Sequence, residues 1–320
     1  MIPDNLFING GLNLWHRITP QKEEVVCSRW RQTFLADRWK VRYGRPQGEE
    51  IVQRRSEAVP SDHPGRYSLE LQGRDGLGDP VYVGQRIEAG EALRYRRPLR
   101  FSARIWCEKD GAELALLVQA PGEPDQFGAP LRPTVVHELR LPLGTLPVGC
   151  WHRVEAEFDA FPLGNNGLSV ELEIPTAALH TKGHRIRICN LVLADAALPH
   201  PPAERPFAEE VRLARRFFYR CGLDTINTPG RVIAVTPDDL YFQITFPEMR
   251  VPPSVILPPN DESLKVHGYP YSVINGFCYE VVYRSRGSII LKAHKPNHGL
   301  ADAYLSFVNR DGSVFLDAEL

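Results

Sequence analysis

The stretch PLRFSARIWCE, residues 98–108, decides the fold of this chain. Every second residue in it is apolar, and the residues between are charged, polar or, once, tryptophan. The apolar set is Leu99, Phe101, Ala103, Ile105 and Cys107, and the alternating set is Arg100, Ser102, Arg104, Trp106 and Glu108. Because successive side chains of a strand point to opposite faces, this alternation predicts a half-buried strand of an antiparallel sheet. A turn at KDG (109–111) and the apolar run AELALLVQA (112–120) predict its hairpin partner.

The same alternation recurs in three later stretches of the first two hundred residues. These are WHRVEAEFD (151–159), LSVELEIP (168–175) and RIRICNLVLAD (185–195). Segments rich in proline, glycine and asparagine separate the strands, as in PGEPDQFGAP (121–130). Several short strands divided by turns predict an antiparallel β-sandwich over residues 1–200.

The character of the chain changes after residue 198. LPHPPAERP (198–206) contains four prolines and predicts a stiff linker, which with the following helix occupies residues 201–222. The helix is predicted at 207–221 from an apolar stripe at spacings of three and four residues. The stripe consists of Val211, Ala214, Phe217 and Phe218. Strand patterns then resume, so we expect a smaller β-domain at 223–320 and a mainly β fold overall.

Charge and hydropathy exclude several classes of partner. Lys and Arg number 38 against 39 Asp and Glu, so no net field attracts nucleic acid or anionic membranes. The sequence contains neither an apolar run of about 18 residues nor a signal-peptide pattern, so we expect no membrane insertion and no secretory export. The six cysteines are widely spaced and predict buried thiols, with three disulfides as the alternative.

Several landmarks of the chain resemble those of tailed-bacteriophage surface proteins. The matching stretches are NLFINGGLNLWHR (5–17), ADRWKVRYG (36–44), residues 98–107, GCWHRVEAEF (149–158), residues 186–220, FPEMRVPPSVIL (246–257) and the terminal DAEL (317–320). The chain is similar to fibre and head-spike proteins, including the spikes of phage-like gene transfer particles. The resemblance implies an N-terminal jelly roll like that of carbohydrate-binding modules. It also implies attachment of the particle to a glycan of the host surface.

The opening stretch raises the question of whether Trp15, His16 and Arg17 form a binding site. A tryptophan just after a first strand, here a short apolar run that ends at Gly10, is usually an anchor in the core. We therefore expect core positions for Trp15 and Trp39. We expect Arg17 to pair with an acid such as Asp37.

A glycan site needs flat aromatic faces beside fixed polar groups. Trp106 is in phase with Arg104, and Trp151 is in phase with Arg153 and Glu155, so each indole is predicted on an otherwise polar strand face. Each could serve as a ligand platform or as a lid over the core edge. A second candidate set lies in HGYPYSVINGFCYE (267–280), where the aromatic residues could instead pack across strands. It comprises Tyr269, Tyr271 and Tyr279.

Catalysis and metal binding receive little support from the sequence. Paired carboxylates for glycoside hydrolysis could come from Glu155, Glu157, Glu171 and Glu173. They alternate on a face predicted to be solvated, with Arg153, Arg185 and Arg187 as expected counter-charges. The histidines near HTKGH (180–184) lack companion ligands, and GRDGLGD (73–79) is a weak calcium loop with two acids. We predict no enzyme and no cofactor.

The sequence therefore predicts a virion-surface spike or fibre protein, assembled in the bacterial cytoplasm, that binds host surface polysaccharide without cleaving it. Its other expected partners are capsid or tail proteins and further copies of itself. Many copies on one particle make weak sugar contacts effective, so we expect the protein to oligomerise. The helix stripe is predicted to pack between modules or subunits. Two alternatives remain open, a structural decoration or spike-base protein without glycan binding and a polysaccharide depolymerase.

Overall fold

The computed structural model describes most of the 320 residues. The described ranges are 5–17, 24–27, 33–43, 51–62, 65–73, 79–109, 113–127, 135–179, 181, 183–197, 205–221, 230–257, 264–268, 272–307 and 314–319. The chain is mainly β and divides into two compact units, the first ending at Glu210 and the second beginning at Val211. The predicted borders at 200 and 222 bracket this division. No described helix is long and apolar enough to cross a membrane.

The first unit is a sandwich of two six-stranded antiparallel sheets. Sheet A has the strand order β1-β4-β5-β12-β7-β10, and sheet B has the order β2-β3-β6-β11-β8-β9. The strands of sheet A are β1 (Glu24–Cys27), β4 (Ile51–Ser56), β5 (Ser68–Gln72), β7 (Pro98–Cys107), β10 (Trp151–Asp159) and β12 (Arg185–Asp195). Those of sheet B are β2 (Thr33–Phe34), β3 (Lys40–Tyr43), β6 (Val81–Ile87), β8 (Glu113–Pro121), β9 (Val135–Thr145) and β11 (Leu168–Ile174).

From β5 to β12 the chain passes between the two sheets at almost every step, which is the connectivity of a jelly roll. Between β5 and β12, only β8 and β9 follow one another within the same sheet. Three of the connections contain short helical segments. The helix α1 (Ala89–Ala92) lies between β6 and β7, and 3-10 turns at Leu163–Asn166 and Thr176–Ala178 lie before and after β11. The inward residues of both sheets form one core, in which the predicted anchors Trp15 and Trp39 are confirmed as buried.

Two sequence predictions for this unit are wrong. The expected hairpin of β7 with residues 112–120 does not form, because β7 pairs with β10 and β12 whereas β8 pairs with β9 and β11. Strand β8 is buried on both faces from Leu114 to Pro121. Such burial is typical of an interior strand of sheet B, whereas β7 has one polar face. Residues 5–17 form bends and turns rather than a first strand.

The second unit contains two further sheets around its own core. The helix α2 (Phe207–Ala214) lies at the division between the units. The three-stranded sheet C has the order β13-β22-β16, and the seven-stranded sheet D has the order β18-β17-β21-β14-β15-β20-β19. Sheet C comprises β13 (Phe218–Arg220), β16 (Ser254–Ile256) and β22 (Phe315–Asp317). Sheet D comprises β14 (Gly230–Val235), β15 (Asp239–Thr245), β17 (Leu264–Gly268), β18 (Ser272–Ile274), β19 (Cys278–Arg284), β20 (Ser288–His294) and β21 (Ala303–Phe307).

The helix α2 is shorter than the predicted 207–221. It ends at Ala214 because Phe218–Arg220 pairs as a strand with Phe315–Asp317, and the ring of Phe218 stacks on Phe315. Ala214, Phe217 and Phe218 are buried in the single chain and Val211 is half-buried. The three buried side chains are covered within the single chain, and a role of this stripe between subunits stays a prediction. Packing between modules by this stripe stays a prediction.

The cysteines also depart in part from expectation. Five of them lie among the described side chains, and none of these five forms a disulfide. Cys107, Cys189 and Cys221 are buried as predicted, and burial raises the pKa of Cys189 and of Cys221 to about 12. Cys150 and Cys278 are exposed, because the first lies in a turn before β10 and the second on the outer face of sheet D.

Candidate functional site

The outer face of sheet A brings together the five glycan-site residues predicted in the first unit. Strands β7 and β10 pair so that Trp106 lies opposite Trp151 and Arg104 lies opposite Arg153, and Glu155 is one pair further along on the same face. Side chains directly opposite on antiparallel strands are near neighbours. We call these five residues the paired-indole surface.

The two indoles of this surface have different supports. Trp151 is partly exposed and packs against the sandwich core, which fits the lid alternative. Trp106 is also partly exposed, but the guanidinium of Arg187 lies over its ring, 4.4 Å from the ring centroid. A cation over an indole face is attracted by the ring quadrupole, so Trp106 is held from the outer side of the sheet.

A carboxylate that sequence reasoning missed holds Arg187 in place. Glu70 on β5 is buried and accepts hydrogen bonds from Arg187 Nε at 2.6 Å and from Arg54 Nε at 2.5 Å. The row Arg54, Glu70, Arg187 and Trp106 therefore crosses four neighbouring strands of sheet A. Alternation in SLELQ (68–72) places Glu70 outward, but only the register shows its two partners.

The two arginines of this surface each form an ion pair. Arg104 Nη2 lies 2.6 Å from Asp62 Oδ2, and Arg153 Nη2 lies 2.5 Å from Glu155 Oε1. Beside them the hydrogen bond from Arg185 lowers the pKa of Glu108. Guanidinium and carboxylate groups arranged in this way can donate to and accept from hydroxyl groups at the edge of an aromatic platform.

The tyrosine set in the second unit is only partly described. Tyr269 and Tyr271 lie outside the described residues. Tyr279 is half-buried, packs against the core of the second unit and donates its hydroxyl hydrogen to the Leu264 carbonyl at 3.0 Å. That contact resembles the packing alternative more closely than a ligand platform.

The four glutamates considered for catalysis do not form one cluster. Glu155 and Glu157 are exposed on sheet A, whereas Glu171 and Glu173 belong to sheet B. The expected counter-charges are wrong for two arginines, because Arg185 pairs with Glu108 and Arg187 pairs with Glu70. Among the described residues no three His, Cys, Asp or Glu side chains are placed to hold a metal ion.

Glu171 is not solvated, contrary to expectation. It is 1% exposed and pairs with the buried ammonium of Lys40 and with Arg42 Nη2, the latter at 2.5 Å. Burial alone would raise the pKa of Glu171, but these two cations lower it to about 2. Burial lowers the pKa of Lys40 to about 8, against the attraction of Glu171.

The packing around this ion cluster leaves no room for a side chain on the neighbouring strand. A Cβ at Gly84 would lie 2.3 Å from the Val170 carbonyl oxygen and 2.7 Å from Glu171 Cγ. Glycine at position 84 is therefore required for Glu171 to cross β6 toward Lys40. The arrangement is that of a closed structural cluster.

The opening stretch also has a structural role. Asn9 donates through Nδ2 to the carbonyls of Leu14 and Asp37 and accepts from the Leu14 amide. The Asp37 carboxylate contacts His16 Nδ1 at 2.5 Å, and the guanidinium of Arg17 lies over the Phe34 ring. The pairing of Arg17 with an acid stays a prediction. The loop borders a polar cavity of about 130 Å³. Its lining is Asn5, Asn9, Gly11, Asn13, Leu14, Arg205, Phe207 and Glu210.

Comparison with known proteins finds similarity only at the level of structure. No protein-family model and no curated protein matches the chain. The enzymatically active domain of tailspike protein 4 from bacteriophage CBA120 matches with a TM-score of 0.36 and 12% identity, over 60% of this chain and 21% of that chain. The match therefore spans only a small share of that tailspike chain.

Two carbohydrate-binding modules match along most of their own length. A family 61 module in complex with β-1,4-galactotriose has a TM-score of 0.33 and 15% identity, over 60% of this chain and 98% of the module. A family 22 xylan-binding domain from Paenibacillus barcinonensis has a TM-score of 0.33 and 13% identity, over 50% and 92% respectively. Similarity at these TM-scores does not carry an inference about function.

Proposed function

We propose that this chain is a virion-surface attachment protein that binds host cell-surface polysaccharide without cleaving it, through the paired-indole surface. The observation that carries the proposal is the placement of Trp106 and Trp151 in direct register on the outer face of sheet A. Aromatic rings beside fixed hydrogen-bonding groups are the usual composition of a sugar site.

The support of Trp106 favours a binding role for that residue over a packing role. Its indole is oriented by Arg187, and Arg187 is in turn held by the buried carboxylate of Glu70. An aromatic side chain that is ordered before the ligand arrives loses little conformational entropy on binding. Arg104 and Arg153 form the next register pair on the same strand face as the indoles, and their guanidinium groups supply donors for hydroxyl groups.

Binding at a single surface of this kind is weak, so attachment depends on many copies. Several chains on one particle raise the effective concentration of each further contact. The proposal therefore includes display of multiple copies on a virion and contact with capsid or tail proteins.

The decisive experiment measures binding of the purified chain to capsule and lipopolysaccharide fragments of candidate hosts, by affinity electrophoresis and calorimetry. Trp106→Ala is expected to weaken binding about tenfold, because an aromatic contact contributes roughly 0.5–1.5 kcal/mol beyond area burial. Phe161→Ala is the matched control, since Phe161 is an aromatic residue of the same unit that is 54% exposed and lies outside this surface.

Three results would decide against the proposal. Equal loss of affinity in Phe161→Ala would show that the effect is not specific to the indoles. Absence of binding to every host fraction would favour a decoration or spike-base protein. Release of new reducing ends from the fragments would indicate a depolymerase.

A further inference from the structure

We propose that Cys278 is a reactive thiol, activated by His294 and Asp239, that exchanges with low-molecular-weight disulfides. The three residues lie in one row across strands β15, β20 and β19 of sheet D. Asp239 is the register partner of His294, and His294 is the register partner of Cys278.

The register places all three side chains on the outer face of the sheet. The neighbouring row, which includes Leu240 and Ala293, is fully buried in the core of the second unit, so the Asp239 row points away from it. Directly opposite residues of antiparallel strands have Cβ atoms roughly 4.5–5.5 Å apart. Cys278 and His294 are therefore direct cross-strand neighbours on the same face of the sheet.

Asp239 fixes the orientation of His294. The Nδ1 of His294 lies 2.7 Å from Asp239 Oδ1, and this hydrogen bond lowers the pKa of Asp239, with a further contribution from Lys292 at 3.6 Å. An ionised Asp239 accepts the Nδ1 hydrogen, which leaves Nε2 of the neutral imidazole as a proton acceptor. This is the arrangement in which a histidine can take the proton of an adjacent thiol.

The thiol is accessible. Cys278 is exposed and free, His294 is 47% exposed, and β19 is an edge strand of sheet D. Lys292 and its register partner Glu280 are charged neighbours of this row on the same face. In contrast, burial raises the pKa of Cys189 and Cys221 to about 12, so those thiols remain protonated at neutral pH.

The exchange step is balanced as follows. The Cys278 thiol gives its proton to His294 Nε2, and the thiolate sulfur attacks one sulfur of the disulfide. A bond forms between Cys278 and that sulfur while the original sulfur–sulfur bond breaks. The departing thiolate takes the proton from His294, so that a mixed disulfide and one free thiol result.

The test compares the two exposed cysteines of the same chain. One variant carries Cys27→Ser and Cys150→Ser, so that Cys278 is its exposed thiol. The matched variant carries Cys27→Ser and Cys278→Ser and keeps Cys150. Both are treated with glutathione disulfide at pH 7, and the mixed disulfide is followed by intact mass and located by peptide mapping.

We expect Cys278 to react about tenfold faster than Cys150, because a histidine base beside a thiol can take its proton and so supply the reactive thiolate. His294→Gln is expected to remove the difference, and Asp239→Asn is expected to reduce it. The rate of alkylation by iodoacetamide as a function of pH provides a second measurement. Equal rates for the two cysteines, or a Cys278 rate unchanged by His294→Gln, would overturn the proposal.

Discussion

The outer faces of the two sheets in the first unit carry similar alternating charges but have different physical roles. On sheet A the ion pair of Arg153 and Glu155 is exposed, with side chains 39% and 45% accessible. On sheet B Lys40 and Glu171 are 3% and 1% accessible. Alternation of apolar and polar residues therefore tells which side of a strand faces away from the core, but it does not tell whether that side faces water.

The difference between the faces has an energetic consequence. In an exposed ion pair, hydration of the two charges is exchanged for a weak attraction, so the pair contributes little to the free energy of unfolding. A buried ion pair has lost its hydration, so removal of one partner leaves an uncompensated charge in the interior. Four predictions test whether the two faces differ in this way.

The largest effect is expected for Glu171→Ala. It leaves the buried ammonium of Lys40 without its principal counter-charge, so we expect a loss of about 3–5 kcal/mol in the free energy of unfolding. Urea denaturation followed by circular dichroism measures it. Glu157→Ala, at an exposed glutamate of β10, is the control and is expected to change little. Similar losses in both variants would remove the distinction between the faces.

The second prediction concerns acid. The folded-state pKa of Glu171 is lowered to about 2 from an ordinary value near 4.5, so the unfolded chain binds this proton more readily. The stabilisation is present above pH 4.5 and is lost as the pH falls toward 2. Unfolding free energies measured across this range should show a smaller slope in Glu171→Gln than in the wild type. An unchanged slope would contradict the buried pair.

The third prediction sharpens the comparison within sheet A, where Glu70 is a buried carboxylate shared by Arg54 and Arg187. Glu70→Gln keeps the shape and removes the charge, and we expect a loss of about 1–3 kcal/mol. The loosened Arg187 should also alter the fluorescence of Trp106. The double variant with Trp106→Phe identifies that signal, and a spectrum identical to wild type would show that Glu70 does not position the indole.

The smallest effect is expected for Glu155→Ala. Its partner Arg153 is exposed, so we expect a change below about 1 kcal/mol, which added salt should reduce further. Thermal unfolding in low and high salt measures this. A loss comparable with that of Glu171→Ala would mean that the outer face of sheet A is covered in solution.

Much of the first unit was predictable from residues alone. The alternation at 98–108 and 151–159 correctly places Trp106, Arg104, Trp151 and Arg153 on outward faces, because the twofold period of a strand is local geometry. The hairpin of β7 with β8 was predicted wrongly. Two strands adjacent in sequence can belong to different sheets of a sandwich. Which strands pair depends on the burial of both faces of each strand, and that burial is decided by the whole fold.

The candidate site was predictable only in outline. Trp106 and Trp151 could be proposed from their phase, but their direct pairing depends on the register of β7 with β10. Glu70 and Arg187 are 117 residues apart in sequence, and no local signal links them to Trp106. The row of Asp239, His294 and Cys278 is likewise assembled from three separate strands.

The sequence by itself determined the mainly β class, the side of each strand that faces the core and the burial of Trp15 and Trp39. These properties follow from side-chain period and from the transfer of apolar groups out of water, which are decided residue by residue. Tertiary structure alone decided which strands are neighbours and which charged side chains are buried. Sheet order and burial depend on contacts between residues far apart in the chain, so Glu155 and Glu157 are exposed on one sheet whereas Glu171 lies in a buried ion cluster on the other.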